Sequence, residues 1–382
     1  SRLGFPLRRC RGVLLCPMAT VAVKLTSRVG FAWWRQLASA GVCRAIASER
    51  PGPLQISALN GPFGALVETP IRVSDLLANS TLSGQLLRAW REFRGLLILR
   101  GLVGLTPEQF VFASSFFGDV ETRLDDSKMQ FQVAPGVPAM RIGNTKDERG
   151  AVTALFSRNV PLPAHGSPQY RPEELAPVWH TDSTYRRSPP IGSALYCVQA
   201  PPDGGATCFA DTCGAFEALD KKKQDELRDL ECVCSLAHHD AKVRTYSPDY
   251  PTLTEAQRLQ NPPMRVPVVL QHPKTGRDAL YGMNSSTCAV VARGTEILRE
   301  RMEEYELNAV EDESVELHWR RELLPFATSS RFTVTWHWQA GDVVVWDNRC
   351  TLHAATGFDS ERYTREMWRT TLLADRQTIE DG

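Results

Sequence analysis

Asp342-Val343-Val344-Val345-Trp346-Asp347-Asn348-Arg349-Cys350-Thr351-Leu352-His353 joins a valine-rich strand candidate to a polar turn and a ligand-type histidine. Neighbouring segments carry the same β signal. Phe332, Val334, Trp336 and Trp338 alternate, Ser193 to Val198 is a short apolar run, and Met367 to Leu373 is another strand candidate. Helical patterns near Ala215 to Asp229 and Thr295 to Glu306 lie between them. Many strands late in the chain with helices outside them predict an α+β architecture built round a β-sandwich or barrel.

Upstream, Leu86, Leu87, Trp90 and Phe93 recur at three- and four-residue steps, so Ser83 to Arg94 is expected to be an amphipathic helix leading into a strand at Leu96 to Leu99. A second helix is expected over Thr106 to Phe117, capped by Thr106 with Pro107 at its first position. Residues 146 to about 178 are proline-containing and aperiodic, the mark of a functional lid or a disordered segment.

Composition limits the function. In 382 residues, 42% hydrophobic and 23% charged, Lys plus Arg equals Asp plus Glu at 44 each, so no global field favours nucleic acid or an acidic membrane. No apolar run reaches the roughly 18 residues needed to span a bilayer. The ten cysteines form no CxxC pair and read as reduced core thiols of an intracellular protein. Residues 1–50 differ: no acidic residue precedes Glu49, while seven arginines and Lys24 do, which is transit-peptide composition. That segment is expected to be a basic extension directing import into a mitochondrion or plastid, or otherwise a plain extension of a cytoplasmic protein. Oligomeric state, homo-oligomers included, leaves no mark in the sequence.

The chemistry concentrates in Pro177-Val178-Trp179-His180-Thr181-Asp182-Ser183-Thr184-Tyr185. On an extended strand His-x-Asp puts both side chains on one face. With a distant histidine this makes the two-histidine, one-carboxylate set that leaves one side of a non-haem iron(II) open for a cosubstrate and dioxygen. His-x-Asp alone is weak, since His238-His239-Asp240 has the same form. For His238 and Asp240 a polar loop or pocket wall is the expected role, and for His337 a solvent-facing or sheet-surface position.

Context discriminates. Trp179 to Tyr185, Gly204-Gly205-Ala206-Thr207, and Trp346 to His353 followed by Arg365 and Arg369 occur in order over nearly 200 residues. Together they resemble the taurine dioxygenase and 2,4-dichlorophenoxyacetate dioxygenase (TauD/TfdA) family of iron and 2-oxoglutarate enzymes, over about residues 54–376. Gln271 to Arg277 with Ala279-Leu280-Tyr281 fits more loosely. The resemblance implies a double-stranded β-helix, or jelly roll, with flanking helices. It implies His180, Asp182 and His353 as ligands of Fe(II), with 2-oxoglutarate as cosubstrate, O2 as oxidant, and succinate and CO2 as products.

By the same resemblance Arg365, helped by Thr207, anchors the far carboxylate of 2-oxoglutarate, a task suited to a planar guanidinium. Arg365 stands one residue further from His353 than is usual in the family, which a residue added around Gly357 to Arg362 would absorb. Arg369, four residues on, implies a small anionic substrate, a carboxylate or sulfonate. Asn144 and Tyr185 are the further candidates for its pocket, whose walls are expected from Leu124 to Gln132, the loop after Lys146 and Asn284 to Thr287. The alternatives are hydroxylation of a neutral metabolite, an inactive binding module on the same fold, and a zinc hydrolase. The last leaves Arg365, Arg369 and Thr207 without a task.

Overall fold

The structure, a computed structural model, describes residues 54–68, 71, 80–122, 124, 126–151, 153–154, 178–246 and 252–375. They fall within one compact unit, Pro53–Gly382. The basic N-terminal segment and residues 155–177 of the long loop lie outside the described residues.

The chain begins with β1 (Ile56–Ala58) and β2 (Ala65–Val67), then α1 (Ser80–Glu92), β3 (Leu96–Leu99), α2 (Pro107–Ser114), β4 (Gly118–Val120) and β5 (Met140–Gly143). After the loop come β6 (Gly192–Gln199), β7 (Thr207–Asp211), α3 (Thr212–Glu217), α4 (Lys221–Arg228), β8 (Leu230–Cys234) and α5 (Leu236–Tyr246). The next part runs through α6 (Glu255–Gln260), β9 (Met264–Pro267), β10 (Val269–Gln271), β11 (Asp278–Leu280), β12 (Thr287–Ala292) and α7 (Arg299–Asn308). The short helix α8 (Leu324–Ala327) precedes the last four strands, β13 (Thr333–Trp336), β14 (Val343–Asp347), β15 (Thr351–Ala355) and β16 (Glu366–Asp375).

Local chemistry accounts for the element ends. Leu82, Leu86, Leu87, Ala89 and Trp90 bury one face of α1. The helix then stops at Arg94 and Gly95, both with positive φ, where the Gly95 N–H donates back to the Trp90 carbonyl. Thr106 caps α2 as expected, in a reciprocal box with Gln109. The expected helix over Ala215 to Asp229 is in fact two, because Asp220 accepts from the Lys223 N–H and starts α4 afresh.

Eight strands form the larger sheet, in the order β1-β2-β3-β14-β6-β16-β4, with β5 also pairing β16. A three-stranded sheet, β13-β7-β15, faces it. The valine-rich strand is central: β14 lies between β3 and β6, with Val343, Val344 and Val345 buried. Twice the chain passes from the large sheet to the small one, from β6 to β7 and from β14 to β15. Leu96, Ile98, Leu195, Val344, Trp346 and Met367 of one sheet meet Phe209, Val334 and Trp336 of the other in a single core cluster. Replacing Trp346 by alanine there would cost about 3–5 kcal/mol. His337, just past the end of β13, is exposed to solvent, as expected. Among the described residues no helix is long and apolar enough to cross a membrane, and the seven cysteines are free and buried.

Candidate metal centre and cosubstrate pocket

Both crossings end at one place. His353 lies on β15, and His180 forms an isolated antiparallel bridge with it, each N–H donating to the other's carbonyl at 3.0 Å. The expected extended strand through Asp182 is not present. The chain leaves the bridge in a turn, with Ser183 in the left-handed region (φ 51°), and that turn brings the Asp182 carboxylate back to the histidines. Asn284 braces it, its amide donating to the Thr181 carbonyl (3.3 Å) and to Thr184 Oγ1.

The candidate ligand atoms of His180, Asp182 and His353 lie within 4.8 Å of one another. Asp182 Oδ1 is 3.9 Å from His180 Nε2 and 3.7 Å from His353 Nε2. Neighbouring atoms around a metal with bonds near 2.1 Å and right-angle geometry stand about 3 Å apart, so a small inward movement would close the set on an ion. The Val178 carbonyl accepts from His180 Nδ1 at 3.0 Å, which leaves Nε2 with its lone pair. Burial lowers the pKa of both histidines, well below the ordinary value for His353, and outweighs the opposing attraction of Asp182. Burial alone would raise the Asp182 carboxyl, but the Arg369 guanidinium, then His353, His180 and the Ser193 hydroxyl, hold it well below the usual carboxylate range. Two neutral imidazoles and one carboxylate thus aim electron pairs at a common point, a donor set that fits a divalent iron.

The other candidates separate into two groups. Arg365 is 5% exposed. Its Nε donates to the Gly205 carbonyl at 3.1 Å, and among the described residues no carboxylate pairs with it. Desolvation pushes its pKa down to about 10. The neighbouring Cys197 thiol, itself pushed up to about 12 by burial, supplies no counter-charge. Thr207 Oγ accepts from Trp338 Nε1 at 2.9 Å, which leaves its own hydrogen to donate. A buried cation for which the described residues supply no anion fits a bound carboxylate. Gly204 and Gly205 make this corner possible: both have positive φ, and a Cβ on Gly204 would stand 2.5 Å from the Gly357 carbonyl oxygen.

Arg369 and Asn144 each already have partners in the protein. Arg369 Nη2 is 2.7 Å from Asp182 Oδ2, so its charge lies against a candidate ligand. Asn144 is not a pocket-facing group: its amide donates to the Ser360 and Tyr363 carbonyls (2.9 Å each), and its oxygen accepts from the Arg365 N–H at 2.8 Å. It pins the loop ahead of Arg365. Tyr185 is half-buried, its ring stacked 6.4 Å from His239, and packs with Trp179 against core residues. His238 is a buried helical residue of α5, not a loop residue, with Nδ1 2.8 Å from the Tyr305 carbonyl. Asp240 is buried on the same helix, and neither belongs to the metal set.

Sequence reasoning missed Ser193, whose hydroxyl donates to Asp182 Oδ2 at 2.9 Å, and the buried group His272, Asp347 and Cys350. In that group His272 Nδ1 takes the N–H groups of Lys274 and Thr275, so Nε2–H donates to Asp347 Oδ2 (3.0 Å). Arg349 grips both oxygens of Asp347 and reaches Asp375. With a guanidinium already on its carboxylate, this is a brace for the turn between β14 and β15 and not a cation site.

The sequence profile of the "Taurine catabolism dioxygenase TauD, TfdA family" matches residues 55–371. The chain belongs to that family. Among its relatives is the alpha-ketoglutarate-dependent 2,4-dichlorophenoxyacetate dioxygenase of Cupriavidus pinatubonensis, 33% identical over 201 residues, or 52% of this chain and 60% of that one. The (S)-phenoxypropionate/alpha-ketoglutarate-dioxygenase of Sphingobium herbicidovorans is 26% identical over 84% of this family member and 95% of its own length. The fold is shared with AAD-2, solved in complex with Mn(II) and N-oxalylglycine, at a TM-score of 0.60 and 22% identity, covering 86% of this chain and 100% of that one. For the first-named relative the match spans about three fifths of its length.

Proposed function

We propose that this chain is an Fe(II)- and 2-oxoglutarate-dependent dioxygenase that hydroxylates a small anionic organic substrate, a carboxylate or sulfonate, with release of succinate and CO2. The domain runs from about residue 54 to 376, and the two facing sheets are its double-stranded β-helix. The observation that carries the proposal is Arg365: a buried guanidinium that no carboxylate among the described residues pairs with suits one ligand, the far carboxylate of 2-oxoglutarate.

His180 Nε2, Asp182 Oδ1 and His353 Nε2 would hold the iron, which when bound activates dioxygen using electrons from the decarboxylating cosubstrate. The chain's own part is binding, orientation and exclusion of water. Arg365 and the Thr207 hydroxyl fix one end of the cosubstrate. The Val178 carbonyl and Ser193 keep the donor atoms turned inward, and the aromatic rings of Trp346 and Phe209 beside His353 dry the inner wall. The free, buried cysteines support an intracellular setting. Two relatives are named for 2,4-dichlorophenoxyacetate and (S)-phenoxypropionate, both carboxylates, which supports the anionic substrate. Hydroxylation of a neutral metabolite is the second reading, favoured by the engagement of Arg369 with Asp182.

Anaerobic addition of Fe(II) and then 2-oxoglutarate should raise the weak visible charge-transfer band of the chelate, absent in His180→Ala. Succinate release would then be screened with aryloxyacetates, sulfonates and neutral analogues. A folded, metal-loaded protein with no band would refute the assignment, and turnover of neutral compounds alone would select the second reading.

A further inference from the structure

Behind Asp182 lies a closed triangle of hydrogen bonds. Ser193 Oγ donates to Asp182 Oδ2 at 2.9 Å, Arg369 Nη2 reaches the same oxygen at 2.7 Å, and Arg369 Nη2 also donates to Ser193 Oγ at 3.1 Å. Ser193 is fully buried and sits mid-sheet, opposite Trp346 on β14 and Thr371 on β16. A hydroxyl has one hydrogen and two lone pairs. Here the hydrogen goes to the carboxylate and a lone pair takes the guanidinium, so one atom secures both charged groups.

We propose that Ser193 is a positioning residue that makes Asp182 a one-oxygen ligand. The inference rests on the metal centre proposed above. A carboxylate turns easily about its last bond, because that torsion is broad. Left alone it could offer either oxygen, or both together. With Oδ2 held by Ser193 and Arg369, only Oδ1 faces His180 Nε2 and His353 Nε2, at 3.9 and 3.7 Å. This matters for the count of open positions: three protein atoms leave room on a six-coordinate ion for a two-atom chelate and dioxygen, whereas a two-oxygen aspartate would take one of those places. Ser193 also sets where Arg369 stops, since that guanidinium bonds the serine and the aspartate through a single nitrogen.

The test is titration of the full chain with Co(II) under anaerobic conditions, read by its visible absorption, in the wild type, Ser193→Ala and Ser193→Thr. Loss of an outer hydrogen bond to a ligand typically weakens metal affinity about 10- to 100-fold. Ser193→Ala should therefore raise the Co(II) Kd at least tenfold and change the band intensity, which follows coordination number. Threonine keeps the hydroxyl and should restore both to within about threefold of wild type. Metal-free urea unfolding of each variant separates a ligand effect from a loss of fold. Wild-type affinity and band shape in Ser193→Ala would overturn the proposal, as would a threonine variant that folds normally and is as impaired as alanine. A wild-type chain that binds no Co(II) would instead remove the metal centre itself.

Discussion

Replacing Arg365 by methionine should move cosubstrate binding and stability in opposite directions. The guanidinium is held at about 10 against an ordinary 12.5 by desolvation, which at 1.36 kcal/mol per decade is roughly 3 kcal/mol of unfavourable burial at neutral pH. Methionine fills much of the same stem without charge. It gives up the bond to the Gly205 carbonyl, worth about 1 kcal/mol, so the metal-free protein should gain about 1–2 kcal/mol against urea. Binding should suffer, because a buried charge pair broken on one side costs about 2–4 kcal/mol. That is about a 30- to 1,000-fold rise in the 2-oxoglutarate Kd. Calorimetric titration of 2-oxoglutarate into Co(II)-loaded protein measures the second quantity and urea unfolding the first. A methionine variant that binds 2-oxoglutarate within threefold of wild type would refute the assignment of Arg365. A variant much less stable than wild type would refute the claim that its charge is unpaired.

Three further outcomes are expected. Asn144→Ala removes three hydrogen bonds from the loop before Arg365, and should weaken 2-oxoglutarate about tenfold, in line with about 1–3 kcal/mol for uncompensated polar groups, while leaving the Co(II) Kd unchanged. Arg369→Ala should raise the Co(II) Kd about tenfold through Asp182 and raise KM for an anionic substrate, with 2-oxoglutarate affinity at saturating metal kept; loss of that affinity would move Arg369 to the cosubstrate pocket. His238 is lowered to about 4, chiefly by burial, so the unfolded chain takes up its proton first. Its contribution is fully present above about pH 6.5 and is lost as pH falls towards 4, by up to roughly 3 kcal/mol. His238→Asn, which keeps a donor for the Tyr305 carbonyl, should flatten that acid limb in urea unfolding at pH 7.5 and 5; an unchanged pH dependence would rule the residue out as its source.

What could be read in advance depended on how local each interaction is. Thr106, Pro107 and Gln109 start α2 with contacts within one turn, and the valines of β14 announce a buried strand by composition. That His180, Asp182 and His353 would come together was legible because their residue types are rare in combination. The turn at Ser183 was not, since its left-handed backbone is carried by a serine where glycine would have signalled it. Ser193 looked like part of an apolar strand, because its second partner, Arg369, lies 176 residues away. Asn144 reads as a pocket residue for a similar reason: polarity and position are visible in a sequence, but the carbonyls of Ser360 and Tyr363 that use its amide are not.

The backbone bridge between His180 and His353 has a bearing on how such a protein can diversify. Each histidine takes its place from the other's peptide group, so the spacing of the two rings is written into a strand pairing and owes nothing to the length of chain ahead of Val178. The segment before that point can lengthen, shorten or change composition while the reactive centre keeps its dimensions. A family can then vary the segments that lead into this pairing while the spacing of the two histidines is inherited intact.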